Sequence, residues 1–117
     1  MNIYVDGISD EMIQEIKTTL GLTVNKRPDE WNVNELMKYI TDPNLKLIVI
    51  NKIDSQSIAE ITLAHLFCKE VLVTCSNITE YPHIYDMVSE VQPQCNLEID
   101  NNSFINWFIN WYKYTRK

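Results

Sequence analysis

Residues 45–76, LKLIVINKIDSQSIAEITLAHLFCKEVLVTCS, restrict this chain to very few folds. The apolar run Leu45–Ile50 ends at the polar segment Asn51-Lys52-Ile53-Asp54-Ser55. A mostly apolar helix follows, and residues 71–75 form a second apolar run. Two strands joined by one helix over so short a stretch pair in parallel, with a right-handed crossover. In such units ligands settle beyond the carboxyl ends of the strands, against helix N-termini. The segment from Asp54 to Glu60 is therefore where any chemistry is expected.

The rest of the chain repeats the alternation. Asn2 to Asp6 reads as a first strand broken by Gly7. Ser9 offers an N-cap for a helix with Met12, Ile13, Ile16 and Leu20 on its apolar side, and Gly21 stands at its C-cap position. Leu22 to Asn25 is a short second strand. Pro28, Asp29 and Glu30 predict the start of a second helix carrying Trp31, Leu36, Tyr39 and Ile40, which Asp42-Pro43-Asn44 stops. Beyond residue 76, Pro82 predicts a helix through His83, Tyr85, Met87 and Val88, and residues 95–99 a last short strand. Asn102 or Ser103 caps a final helix rich in Phe, Trp and Tyr. Strands that alternate with helices and are nearly continuous in apolar residues need cover on both faces. The expected fold class is α/β, an open, mostly parallel sheet of four or five strands in a single domain spanning residues 1–117.

The totals exclude several functions. The 117 residues suffice for one core, and 45% hydrophobic with 22% charged residues is the balance of a folded chain. With a net charge of -6 and no basic stripe, nucleic acid is not an expected partner. The start, MNIYVDG, lacks a signal-peptide pattern, and no apolar run approaches the ~20 residues of a membrane span, so no membrane partner is expected. The 3 cysteines, Cys68, Cys75 and Cys95, show no CxxC spacing and lie among apolar neighbours. They read as buried free thiols in a reducing, cytoplasmic compartment rather than as a zinc site or disulfide frame, and neither a metal nor a cofactor is expected.

Glu60 admits two readings. Ser57-Ile58-Ala59-Glu60 matches a capping box, in which each side chain bonds the other residue's backbone N–H. A carboxylate in the first helical turn, pointed into the cleft at the strand ends, is also suited to attack a sugar C1. Near a helix N-terminus it is expected to keep its charge at neutral pH. Asp54 and Ser57 are either caps of the same turn or contacts to ligand hydroxyls. Asp6 and Gly7 form a second rim, where Gly serves a turn or lets a ligand approach the backbone. Tyr4 shares a strand side with Asp6 but lies farther from the tip. His65 reads as a packed or interface histidine, and no Ser or Cys nucleophile set, GxGxxG or GxxxxGK[ST] occurs.

Taken together these residues resemble the nucleoside 2-deoxyribosyltransferase family, whose signature is D-S-G-T-x-x-E-[IL]-G-x-A between two apolar strands. Here the stretch is Asp54-Ser55-Gln56-Ser57-Ile58-Ala59-Glu60-Ile61-Thr62-Leu63-Ala64, with Gln56 and Thr62 at the family's two glycines and Lys69 before the next strand. Ile3-Tyr4-Val5-Asp6-Gly7 is similar to the family's first strand. The resemblance implies a flavodoxin-like fold, Glu60 as nucleophile, Asp54 and Ser57 as a sugar-binding turn, Gly7 in the base pocket, and a site completed by a neighbouring subunit.

Two functions follow as expectations. One is an enzyme that transfers or hydrolyses the N-glycosidic bond of a nucleoside or nucleotide through Glu60. The other is a non-catalytic protein that senses or sequesters a nucleotide-derived small molecule, with Lys26, Arg27 and Lys52 as candidates for holding phosphate. A purely structural role would need only the aromatic final helix. A homo-oligomer is also expected, because residues 58–67 look apolar on more than one side and Trp107, Phe108 and Trp111 exceed what a small domain readily hides.

Overall fold

The structure is a computed structural model that describes residues 2–30, 32–91 and 101–116. Five strands, β1 (Asn2–Asp6), β2 (Thr23–Lys26), β3 (Leu45–Ile50), β4 (Glu70–Val73) and β5 (Glu90–Val91), form one sheet. Their order is β2-β1-β3-β4-β5, and every pairing is parallel. This α/β architecture has the flavodoxin-like strand order, in which the chain reverses direction of travel between β1 and β3.

The two-residue period of the strands sorts their side chains into two cores. Ile3, Val5, Leu47, Val49 and Leu72 face α1 (Asp10–Leu20) and α5 (Asn101–Thr115), where Met12, Ile16, Phe104 and Phe108 meet them. Tyr4, Ile48, Ile50, Val71 and Val73 face the other side. There they meet Leu36 and Ile40 of α2 (Val33–Ile40), Ile61 and Ala64 of α3 (Ser55–Leu66), and Ile84 of α4 (Pro82–Tyr85). Burial on both faces is what a parallel sheet requires, and residues 3–5 of β1 and 47–50 of β3 supply it.

Most caps fall where the residues demand them. Ser9 accepts from the Met12 N–H, and Gly21 closes α1 at φ 66°, a left-handed conformation that favours glycine. The second helix does not begin at Pro28. Asn32 caps it, its Oδ1 accepting the Glu35 N–H at 3.1 Å, so residues 27–30 stay free as a loop. The helix expected from Pro82 ends at Tyr85 after a 3₁₀ turn over Ser76–Glu80, and a strand comes at Glu90–Val91 instead of continued helix. The expected strand at residues 95–99, like Cys95 and Trp31, lies outside the described residues.

The last helix hides more of its aromatic surface than expected. Phe104, Ile105, Phe108 and Tyr112 are buried, and Trp107 and Trp111 pack half-buried against the same core. That takes away much of the surface on which an oligomer was expected. Exposed apolar side chains remain at Leu66 and Phe67, at the end of α3. Arg116 packs over the Trp111 and Tyr112 rings and binds Glu70 at the start of β4. Cys75 is buried as expected and Cys68 is exposed, a free thiol at the surface. No helix among the described residues is long and apolar enough to cross a membrane.

Candidate functional site

Three chain crossings meet at the carboxyl ends of β1, β2 and β3. The β1–α1 loop passes so close to the β3–α3 loop that a Cβ on Gly7 would lie 3.1 Å from the Lys52 Cβ and 3.2 Å from its N. Gly7 also sits at φ 83°, where any side chain is strained. The glycine is thus required by the packing of the two loops. A cleft of about 370 Å³ opens beside it, lined among others by Asp6, Gly7, Ser9, Lys26, Arg27 and Lys52.

Arg27, just past β2, is the hub of this end of the sheet. Its Nη1 donates to Asp6 at 3.0 and 3.1 Å and to Asp54 at 3.1 and 3.2 Å. Asp6 is 3% exposed, so the guanidinium is what makes its burial tolerable. Asp54 is the N-cap of α3 and accepts the Ser57 N–H at 2.9 Å. Burial alone would raise the Asp54 carboxyl, but the Ser57 N–H, Arg27 and the Ser57 hydroxyl hold it below the usual carboxylate range. The fully buried Ser57 Oγ has Asp6 Oδ2, the Lys52 carbonyl and Asp54 Oδ1 within reach as acceptors. Asp6, Asp54 and Ser57, singled out separately in the sequence, are therefore one hydrogen-bonded cluster.

Glu60 is placed differently from expectation. With Asp54 as cap and Ser55 as first helical residue, Glu60 stands in the second turn of α3 rather than the first. The Ser57–Glu60 capping box does not form, because Asp54 takes the Ser57 N–H. The buried stripe of α3 is Ser57, Glu60, Ile61 and Ala64, at helical spacing, which turns Glu60 onto the sheet. Ile58 and Leu63 are half-buried beside that stripe, and His65, read as a packed or interface histidine, is exposed.

The Glu60 carboxyl is 0% exposed, and neither oxygen has a group in hydrogen-bonding geometry; the buried Tyr4 hydroxyl is in the same condition. Burial first, and then the nearby Asp6, pushes the Glu60 carboxyl up to about 9, against smaller opposing effects of Tyr4 and Arg27. The Tyr4 phenol is raised in turn, by burial and then by Glu60. At neutral pH Glu60 is thus an uncharged acid, where the sequence suggested a carboxylate. Tyr4, set aside in the sequence as too far from the strand tip, is its neighbour. The clue was the two-residue period that puts Tyr4 and Asp6 on one side of β1.

The cations divide by mobility. Lys26 pairs with Asp10 at 3.1 Å, with both side chains largely solvated. Lys52 stands 3.7 Å from Asp54 with its side chain 66% exposed, the loosest of the three. Lys69, the lysine of the sequence resemblance, donates to the carbonyls of Asp42 and Leu45 at the opposite end of the sheet, a purely structural bond. Among the described residues no group of three or more His, Cys, Asp or Glu side chains is arranged to hold a metal.

No protein-family model matches this chain, and no curated protein matches it. Among solved structures it is similar to crystal structures of S. aureus homoserine dehydrogenase. With the one at pH 7.5 it shares 14% identity at a TM-score of 0.45, covering 81% of this chain and 32% of that one. With the one at pH 6.5 the values are 15%, 0.46, 78% and 31%. The chain thus spans about a third of the length of the structures it matches. A likeness of this degree bears on neither ligand nor chemistry.

Proposed function

We propose that this chain is a non-catalytic binding module for a nucleotide-derived small molecule that carries a phosphate. The observation behind this reading is that Lys26, Arg27 and Lys52 line one cleft with Gly7, at the boundary between β1 and β3. In this strand order that boundary is where ligands settle. The N-terminus of α1, whose first turn carries Asp10 and Glu11, opens on the same side. Glu60 does not line the cleft, is fully buried and is uncharged at neutral pH, so a ligand held there does not meet it as a nucleophile, and the Asp6 carboxylate that does line the cleft is engaged by Arg27 and Ser57.

Calorimetric titration tests the reading. Adenosine 5′-monophosphate should bind more tightly than adenosine, and binding should weaken with salt, since exposed lysines are screened. Lys52→Ala should lower affinity about tenfold, the order of one charge-assisted contact, without loss of fold. Equal affinity for nucleoside and nucleotide, or none for either, would overturn it.

The runner-up is N-glycosidic bond chemistry through Glu60. What supports it is that Asp6, Asp54 and Ser57, which the family resemblance implicates, lie in one cluster. It requires α3 to shift so that Glu60 is exposed and ionised. Release of free base from nucleosides or nucleotides, rising toward alkaline pH and abolished in Glu60→Gln, would favour this reading over the first.

A further inference from the structure

Two layers of acid lie one behind the other at this end of the sheet. Asp6 faces the cleft and is engaged by Arg27 and Ser57. Behind it lies Glu60, both oxygens buried without a group in hydrogen-bonding geometry, close to Asp6 and to the buried Tyr4 hydroxyl, both of which influence its carboxyl. A buried carboxyl without partners is tolerated only when neutral. Unpartnered buried groups are uncommon in folded proteins and call for a reason.

We propose that the proton on Glu60 is a condition of anion binding in the cleft, so that losing it expels the ligand. The inference rests on the binding reading above. With Glu60 protonated, the Arg27 charge is shared by Asp6 and Asp54 and can be offered in part to a ligand. Ionised Glu60 adds a second buried negative charge next to Asp6, which repels an incoming anion and draws Arg27 inward. Conversely, a bound anion stabilises the protonated acid. Binding and protonation therefore favour each other.

Other groups around Glu60 do not reproduce this behaviour. On β1 they are Tyr4 and Asp6. Past β2 stands Arg27, and on the loop after β3 Lys52. On α2 the Tyr39 ring packs on Tyr4 at 5.7 Å, and its hydroxyl donates to Glu35 at 3.1 Å. Past β4 lies Cys75, whose thiol burial pushes up to about 11. On α4 the titratable side chains are the exposed His83 and Tyr85. Glu60 is the buried group among these that releases a proton as pH rises toward 9.

The test titrates adenosine 5′-monophosphate at pH 7.5, 8.5 and 9.5, a range in which its phosphate stays a dianion and lysines stay mostly charged. Wild-type affinity should fall about tenfold across the range, the scale of one added charge at short distance. Glu60→Gln, which has no proton to lose, should hold its affinity nearly constant. Independently, the Glu60 carboxyl followed by ¹³C NMR in the wild-type protein should titrate at higher pH with the nucleotide bound, a readout that does not depend on the variant folding. Parallel pH profiles in the two proteins, or an unmoved Glu60 titration, overturn the linkage and leave the binding reading standing. Absence of nucleotide binding at every pH overturns both.

Discussion

Arg27→Met should lower the thermal midpoint by roughly 10–20 °C, an effect of about 3 kcal/mol. The substitution preserves much of the aliphatic bulk and removes the one guanidinium nitrogen that holds four carboxylate oxygens. Asp6, at 3% exposure, is left as a buried charge without its counter-ion. Asp54 is more exposed and loses less. Adding Asp6→Asn should restore most of the lost stability, because the amide carries no charge to compensate while still accepting from Ser57. The check is thermal denaturation of both variants at neutral pH. If Arg27→Met melts with the wild type, or if Asp6→Asn makes it worse, the pair does not carry the weight assigned to it.

The second large effect concerns Glu60 and pH. In the unfolded chain its carboxyl titrates near the ordinary 4.5, and in the fold near 9. Between those values the folded state holds a proton that the unfolded state has released. Stability must therefore fall as pH rises through this window, by up to about 1.4 kcal/mol per pH unit from this one group. Below about 4.5 both states carry the proton and the contribution no longer changes. Glu60→Gln keeps the shape and removes the titration. The variant should match the wild type near pH 5 and exceed it increasingly toward pH 8.5, by roughly 15–25 °C in midpoint if the full slope applies. A wild-type protein whose midpoint tracks that of Glu60→Gln at every pH would show that the acid is solvated or already ionised.

The fold was legible because its signals are periodic and redundant. The apolar runs of β1, β3 and β4, the Ser9 and Gly21 caps and the helix after Asp54 each fix an element from local chemistry. The second half was less legible. Pro82 marks a helix start correctly, but the helix stops at Tyr85, and no capping residue near it announces the stop. Pro28 is compatible with a first helical turn, yet Asn32 is the stronger cap, and tertiary contacts decided between them.

The convergence of the site residues was legible in the sequence, while their geometry was misread. Asp6, Gly7, Asp54 and Ser57 do converge, and the three cations do share a cleft. Counting helix positions from Ser57 instead of Asp54 put Glu60 one turn too early, at the rim. A Glu between Ala59 and Ile61 reads as the polar side of a helix. In fact the polar Ser57 and Glu60 belong to the buried stripe, a local inconsistency that only the packing of α3 on the sheet reveals. Sequence periodicity measures hydrophobicity, and a neutral buried acid is polar by that measure although it behaves as a core side chain at neutral pH.

The contact between Arg116 and the start of β4 fixes more than the end of a helix. It brings the close of the described chain to the pole of the sheet where β1 begins at Asn2. The cleft occupies the other pole, at the carboxyl ends of the strands. A label, a tether or a fused domain joined through either of these ends would leave the molecule standing with its cleft outward, open to whatever diffuses past.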